Sequence, residues 1–516
     1  MKGLVKKLLQ FDFETALCSC WGNISPFSKR VFLWVFGLFN FVFFWPTISF
    51  IPDNHSLGTI KSGMLPNFQF FSARFGGLLQ QLVGGDIFPI FNNVICYTGL
   101  VLTVIYLAHY WRVPKTFLCY TLFCLFIILM PYVLPWVYFI RHQTYFWNLF
   151  LIMYALTLLQ KPKLLNVMIA SFLFFICIGT YLAMIHFIFI VVLGRCIQDV
   201  LFDKATFATL WKNYYKPGIA LLVGGLAYIC VFFYMKYSGS LMAYATVPIF
   251  SLEKIRDVFS CFKENIPYLS SFYRFTLLSL IFCFFVYFIW KKDWLILFLF
   301  LIVLLSTQMI TLFSQDKFLY MVRIQFFYMP WLYGLVFVIL LKSQKFLKSI
   351  TLIFFAFSVC YFSLQDMRWQ KSFYFEEKLE ISVWQDIIHR IKSNVSFNPG
   401  KKYDIFLIGS LNYRKMFNKK AKTKYDNYRN YYIAGSYSDI HYRDIFDFYE
   451  QKSYVRYVYD FSSKKVQNKM LDSSYLLTKA KPYPHPNSVY VNEKSIYIVL
   501  DGVQLDKIKR KLHSER

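Results

Sequence analysis

Acidic side chains are scarce in this 516-residue chain, which carries 28 Asp and Glu against 56 Lys and Arg. Only eleven acids precede residue 365, and none lies at the middle of a long apolar stretch. Ion-coupled transporters usually keep a carboxylate near the bilayer midplane, so the scarcity argues against a pump or symporter. Cysteine offers little chemistry either. Most of the eleven Cys lie in apolar stretches, where they act as small hydrophobes. Cys18 and Cys20 form a Cys-x-Cys pair without the second ligand pair that a zinc site needs. Residues 365–516 have no Cys, so that segment uses no disulfides. No repeat of fixed period, helicase or polymerase pattern, or zinc finger accompanies the net charge of +28. Many cations flank apolar stretches, where they set membrane orientation, and nucleic acid is not an implied partner. A signal peptide is not expected. Lys2, Lys6 and Lys7 precede only a short apolar patch, and Asp12 and Glu14 follow it. Residues 1–30 read as a cytoplasmic amphipathic segment with Leu4, Leu8, Leu9 and Phe11 available to lipid.

What the chain has in abundance is apolar surface, with 57% hydrophobic residues, 22% aromatic residues and a mean hydropathy of +0.43. Some eleven long apolar stretches crowd residues 31–364. They fall near 31–50, 88–111, 117–133, 145–160, 164–180, 182–195, 217–235, 275–290, 294–313, 324–341 and 348–364. Each approaches the roughly 20 residues that a helix needs to cross the hydrocarbon core. The expected fold is therefore an all-α polytopic transmembrane bundle of about eleven helices.

Loop charge gives the expected orientation. Lys29, Arg30, Arg112, Lys115, Lys161, Arg195, Lys204, Lys291 and Lys342 fall in one alternate set of short loops, which reads as cytoplasmic. The other set is longer and poorer in cations per residue: 51–87, 134–144, a turn near 181, 236–274 and 314–323. An odd number of crossings from a cytoplasmic N-terminus leaves residues 365–516 outside the inner (plasma) membrane. That tail is polar and Tyr-rich. Apolar positions at helical spacing over 372–393 stop before Asn398-Pro399-Gly400, and Tyr403–Gly409 and Ser495–Asp501 read as buried strands. A small extracytoplasmic α/β domain is expected there. The Lys-rich stretch 415–424 reads as a solvated loop or as a contact for headgroups or glycan.

With spans poor in charge, the outer surface is where chemistry is expected. The first outer loop reads Pro52-Asp53-Asn54-His55, continues through Arg74 and Gly76-Gly77, and ends in Gly84-Gly85-Asp86. A carboxylate at the membrane lip can take a proton from an acceptor hydroxyl that attacks a lipid-borne donor. Asp53 fits that role, or that of a helix cap or loop hydrogen bond. Asp86 fits a turn or N-cap at the start of the second span. His55 can assist Asp53, and His142 beside Arg141 is equally ambiguous. Without further ligands at a recognisable spacing, no metal site is assigned. His186 is expected to pack inside the bundle. Arg74, Arg141, Lys236, Lys317 and Arg323 lie near the outer lip. There Arg can grip a phosphate leaving group bidentately, or, for Arg323, anchor the helix at the interface.

The acidic residue past the first span, the connector to Phe71-Ser72-Ala73-Arg74-Phe75, Gly85-Asp86-Ile87-Phe88-Pro89 and the turn Gly179-Thr180-Tyr181-Leu182-Ala183 together resemble the Gtr-type glucosyltransferases of serotype conversion. These belong to the GT-C class of polytopic membrane glycosyltransferases. The resemblance covers about residues 30–400 in layout. It implies a GT-C-like catalytic domain over 31–364 and transfer of a hexose, glucose in that family, from undecaprenyl phosphate. The acceptor would be a surface polysaccharide or lipid-linked glycan, as in O-antigen modification of lipopolysaccharide. It also implies Asp53 as the acid of loop one and Arg74 as the Arg of a Gly-Arg position, with Ala73 in place of Gly. Two features depart from the pattern: Asn54 follows Asp53 where the family often pairs acids, and 134–144 contains no acid. Asp53 then acts alone or with Asp86, and no cofactor is implied. An O-antigen-type polymerase and a non-catalytic lipid-linked glycan flippase or export component remain as alternatives.

Overall fold

The computed structural model describes residues 25–44, 89–133, 145–161, 163–239, 292–306, 326–342, 345–409, 454–460 and 473–514, with isolated positions at 137 and within 279–290. The membrane part is helical throughout its described residues: α1 (Pro26–Val42), α2 (Pro89–Tyr110), α3 (Phe117–Ile128), α4 (Tyr145–Leu158), α5 (Leu164–Thr180), α6 (Met184–Asp203), α7 (Phe207–Tyr237), α8 (Trp294–Ser306), α9 (Met329–Lys342) and α10 (Lys345–Lys392). Several helices start where a side chain satisfies a free backbone N–H. Ser25, Thr116 and Thr206 accept from the amides of Ser28, Cys119 and Thr209.

Among the described residues three stretches are long and apolar enough to cross a membrane, Met184–Asp203, Phe207–Tyr237 and Lys348–Arg368, and six shorter apolar helices accompany them. The chain is a multi-pass membrane protein. α3 is apolar on all sides and takes the centre of the bundle, with nine of its twelve residues buried among α1, α2, α9 and α10. α5 and α7 approach most closely at Gly224, where an added Cβ would stand 2.7 Å from the Ser171 carbonyl oxygen.

α10 departs from the sequence expectation. A span ending near 364 and a separate helix over 372–393 are one unbroken 48-residue helix. Neither Gly nor Pro occurs between Lys345 and Lys392, so nothing in that sequence interrupts the backbone ladder. At about 1.5 Å per residue the helix is about 70 Å long, more than twice the hydrocarbon thickness. Its membrane half turns its polar residues inward. Thr351, Phe355, Ser358, Phe362, Asp366 and Gln370 are buried, while Ile353, Phe357 and Leu364 are exposed on the other side.

The far end of α10 packs against a four-stranded sheet made of β1 (Tyr403–Ile408), β2 (Val455–Asp460), β3 (Val489–Val491) and β4 (Ser495–Val499), in the order β2-β1-β4-β3. β1 pairs in parallel with β2 and β4, and β3 runs antiparallel to β4. Strand alternation sorts the side chains into two cores. Ile405, Leu407, Ile496 and Ile498 face Trp384, Ile387 and Ile391 of α10. Phe406, Ile408, Tyr497 and Val499 face α11 (Ser473–Thr478) and α12 (Gly502–Ser514) through Tyr475, Leu476 and Leu505. The result is a three-layer α/β/α unit, which fills out the two-strand expectation. Gly409 (φ +82°) ends β1 in the left-handed region, and an added Cβ there would meet the Asp501 Cβ at 2.4 Å.

Arg390 ties this unit to its helix. It lies 2.8 Å from the Asp386 carboxylate and donates to the carbonyls of Pro484 and His485 at 3.0 and 2.9 Å. The Tyr483 hydroxyl donates to the same Asp386 at 3.0 Å. Burial, then that hydrogen bond, raises the Tyr483 phenol above its ordinary pKa.

Candidate functional site

One end of the bundle gathers charge. Arg195 and Asp199 are one turn apart on α6, both buried, with Nε 3.0 Å from Oδ1. The Tyr214 hydroxyl of α7 donates to the other carboxylate oxygen at 2.6 Å. Arg112, just past α2, reaches Asp203 at 2.5 Å and Asp199 at 3.7 Å. Lys342, the last residue of α9, donates to Gln198 at 2.9 Å. Four helix ends are thereby locked together. Arg112, Arg195 and Lys342 come from loops that charge counting assigns to one side of the membrane, and the structure brings them to one end. Both carboxylates here are paired with cations, so the cluster serves as a latch and leaves no acid free for proton transfer.

The opposite end is aromatic and carries a different kind of acid. Tyr145 stacks on Tyr181 at 5.2 Å, and Tyr181 meets Phe327 at 5.3 Å. Beside them His186 is buried as the sequence suggests, with Nδ1 2.5 Å from the Ser306 carbonyl oxygen and its ring edge-on to Tyr328. α10 starts three residues beyond Lys342 and carries Asp366 about 30 Å along its axis, toward this end. Asp366 and Gln370 follow one another by a turn on its buried face, each 1% exposed. Gln370 donates to the carbonyl of Val42, the last residue of α1, at 2.7 Å. Neither carboxylate oxygen of Asp366 has a hydrogen-bond partner among the described residues, and neither has Oε1 of Gln370.

The residues singled out in the sequence, Asp53, Asn54, His55, Arg74, Asp86, Arg141, His142, Lys317 and Arg323, all lie outside the described residues. Asp366 and Gln370 lie beyond the span boundary that hydropathy places at 364. A helical signal does reach them, because Thr351, Phe355, Ser358, Phe362, Asp366 and Gln370 step by three or four along one face. Among the described residues no three His, Cys, Asp or Glu side chains gather as metal ligands. In comparisons with known proteins, no family model, no curated protein and no solved structure matches the chain.

Proposed function

We propose that the chain is a GT-C-type glycosyltransferase of a bacterial inner membrane, with the N-terminus cytoplasmic and the C-terminal α/β unit outside. It moves a hexose, glucose by resemblance, from undecaprenyl phosphate to a hydroxyl of a surface polysaccharide or lipid-linked glycan. Asp53 takes the proton of the acceptor hydroxyl as its oxygen bonds to the sugar's anomeric carbon with inversion. The bond to the phosphate breaks, and Arg74 and Arg323, with Lys317 and Arg141 near them, hold the departing lipid phosphate. Asp86, His55, Asn54 and His142 assist around the same lip.

The observation that carries this reading is α10. A single rigid helix joins a lipid-embedded bundle, where a polyprenyl donor dissolves, to a folded unit standing in water, where a glycan acceptor is met.

The test is to incubate purified protein with labelled polyprenyl-phosphate glucose and glycan acceptor. Label appearing as a single branch sugar supports the reading, and its loss in Asp53→Asn and Asp53→Ala, at unchanged expression, assigns the base. Growth of repeat units instead identifies a polymerase, and movement of intact lipid between leaflets identifies a flippase. Full transfer by both Asp53 variants removes Asp53 from the mechanism.

A further inference from the structure

We infer that Asp366 and Gln370 form a subsite that recognises hydroxyl groups of the sugar at the aromatic end of the bundle; this rests on the glycosyltransferase reading above. The two side chains share one face of α10, a turn apart, and each is 1% exposed. Between them three oxygens have no hydrogen-bond partner among the described residues: both of Asp366 and Oε1 of Gln370. The amide nitrogen of Gln370 is committed to the Val42 carbonyl.

Buried acceptors left without donors destabilise a protein, and an unpaired carboxylate most of all. The acids at the other end show that this chain does pair its buried carboxylates, since Asp199 has Arg195 and Tyr214. An acid left unsatisfied here awaits donors from a ligand. A single carboxylate with one amide oxygen is a poor cage for a divalent ion that takes six or more oxygens. A hexose presents adjacent hydroxyls that both donate and accept, so they can pair with a carboxyl group and an amide oxygen together. The carbonyl that Gln370 holds belongs to Val42, the last residue of α1 and eleven residues before Asp53 in the sequence.

Stability and binding separate this role from a structural one. Wild type, Asp366→Asn and Asp366→Leu are purified in detergent, and Tm is measured with and without a short-chain prenyl-phosphate glucose. The expected result is that both variants melt at or above the wild-type temperature without the probe. The probe raises the Tm of wild type, and its affinity for either variant is weaker by about tenfold or more. A fall of several degrees in the unliganded Asp366→Asn variant would make Asp366 a structural group and overturn the inference. So would equal stabilisation of all three proteins, or no stabilisation of wild type. If the binding pattern holds but wild type transfers no sugar, the subsite stands and the transferase reading falls. If Asp366→Asn transfers with a wild-type KM, the subsite falls and the transferase reading stands.

Discussion

Removing the Asp199 carboxylate tests the latch at the charged end of the bundle. Asp199→Ala deletes the partner of Arg195, 3.0 Å away, and the acceptor of the Tyr214 hydroxyl, 2.6 Å away. Arg195 is buried and, among the described residues, keeps its contacts with the carbonyl and ring of Tyr110, so its charge is left largely uncompensated. Breaking a buried pair by removing one partner costs about 3–5 kcal/mol. Replacing both partners avoids that penalty, so Arg195→Met with Asp199→Met should lie within about 1 kcal/mol of wild type, or be more stable. The non-additivity is the signature. Unfolding in detergent, followed by Trp fluorescence against denaturant, gives all three values; Trp111 is a useful reporter because its indole N–H donates to the Val191 carbonyl beside the latch. A cost below about 1 kcal/mol for Asp199→Ala would place the pair among solvated surface bridges. A double variant as unstable as the single one would show that packing, and not the unpaired guanidinium, sets the cost.

Other positions give independent checks. Gly224→Leu drives a side chain into the Ser171 carbonyl and should cost about 1–3 kcal/mol while separating α5 from α7, seen as a faster cross-linking loss between cysteines placed on the two helices. Arg390→Met removes charge-assisted bonds to Asp386, Pro484 and His485, and should lower the stability of the α/β unit by about 1.5–3 kcal/mol in denaturant titration. The raised Tyr483 phenol holds its proton more tightly when folded. Its contribution is therefore complete below the ordinary phenol pKa of about 10 and fades as pH rises through the folded value. Tyr483→Phe should flatten that alkaline loss, and an unchanged pH profile would exclude the phenol as its source. Lys204→Cys and Ser393→Cys, in a cysteine-free background, should react with impermeant maleimide from opposite sides of the membrane, Ser393→Cys from outside the cell. Labelling of both from one side refutes the proposed threading.

Much of the helical layout is legible in composition. The stretches at 88–111, 145–160 and 164–180 become Pro89–Tyr110, Tyr145–Leu158 and Leu164–Thr180, because a run of apolar residues without breakers has one stable form in lipid. The ends are less legible. α7 starts ten residues before the apolar run at 217, since Lys212 and Lys216 are good helix formers and Thr206 supplies the cap. Hydropathy likewise stops at 364 while α10 continues, because a helix ends at a breaker and not where lipid does. The strands at 403–408 and 495–499 are readable as short buried runs, whereas β2 and β3 are not, for Val455–Asp460 alternates weakly and Val489–Val491 has only three residues. Of the site, His186 is readable from its neighbours. Asp366 is hidden by its polar surroundings in sequence, next to Gln365 and two residues before Arg368, and only the face it shares with Phe355 and Phe362 reveals its burial.

The two ends of the bundle treat carboxylates in opposite ways, and this asymmetry bears on where chemistry occurs. At one end Asp199 and Asp203 are neutralised by Arg195 and Arg112, and four helix termini gain a fixed arrangement. At the other, Asp366 is buried without donors, beside a glutamine whose amide is spent on α1. A fold selected for stability alone would exchange Asp366 for Leu, as a buried polar group without a partner destabilises a core. Ser358 Oγ, two turns earlier on the same face, is likewise buried without a partner among the described residues. The same helix carries the water-facing unit beyond Asp366. Contact with a ligand at Asp366 would thus be felt by one rigid element shared between bundle and sheet.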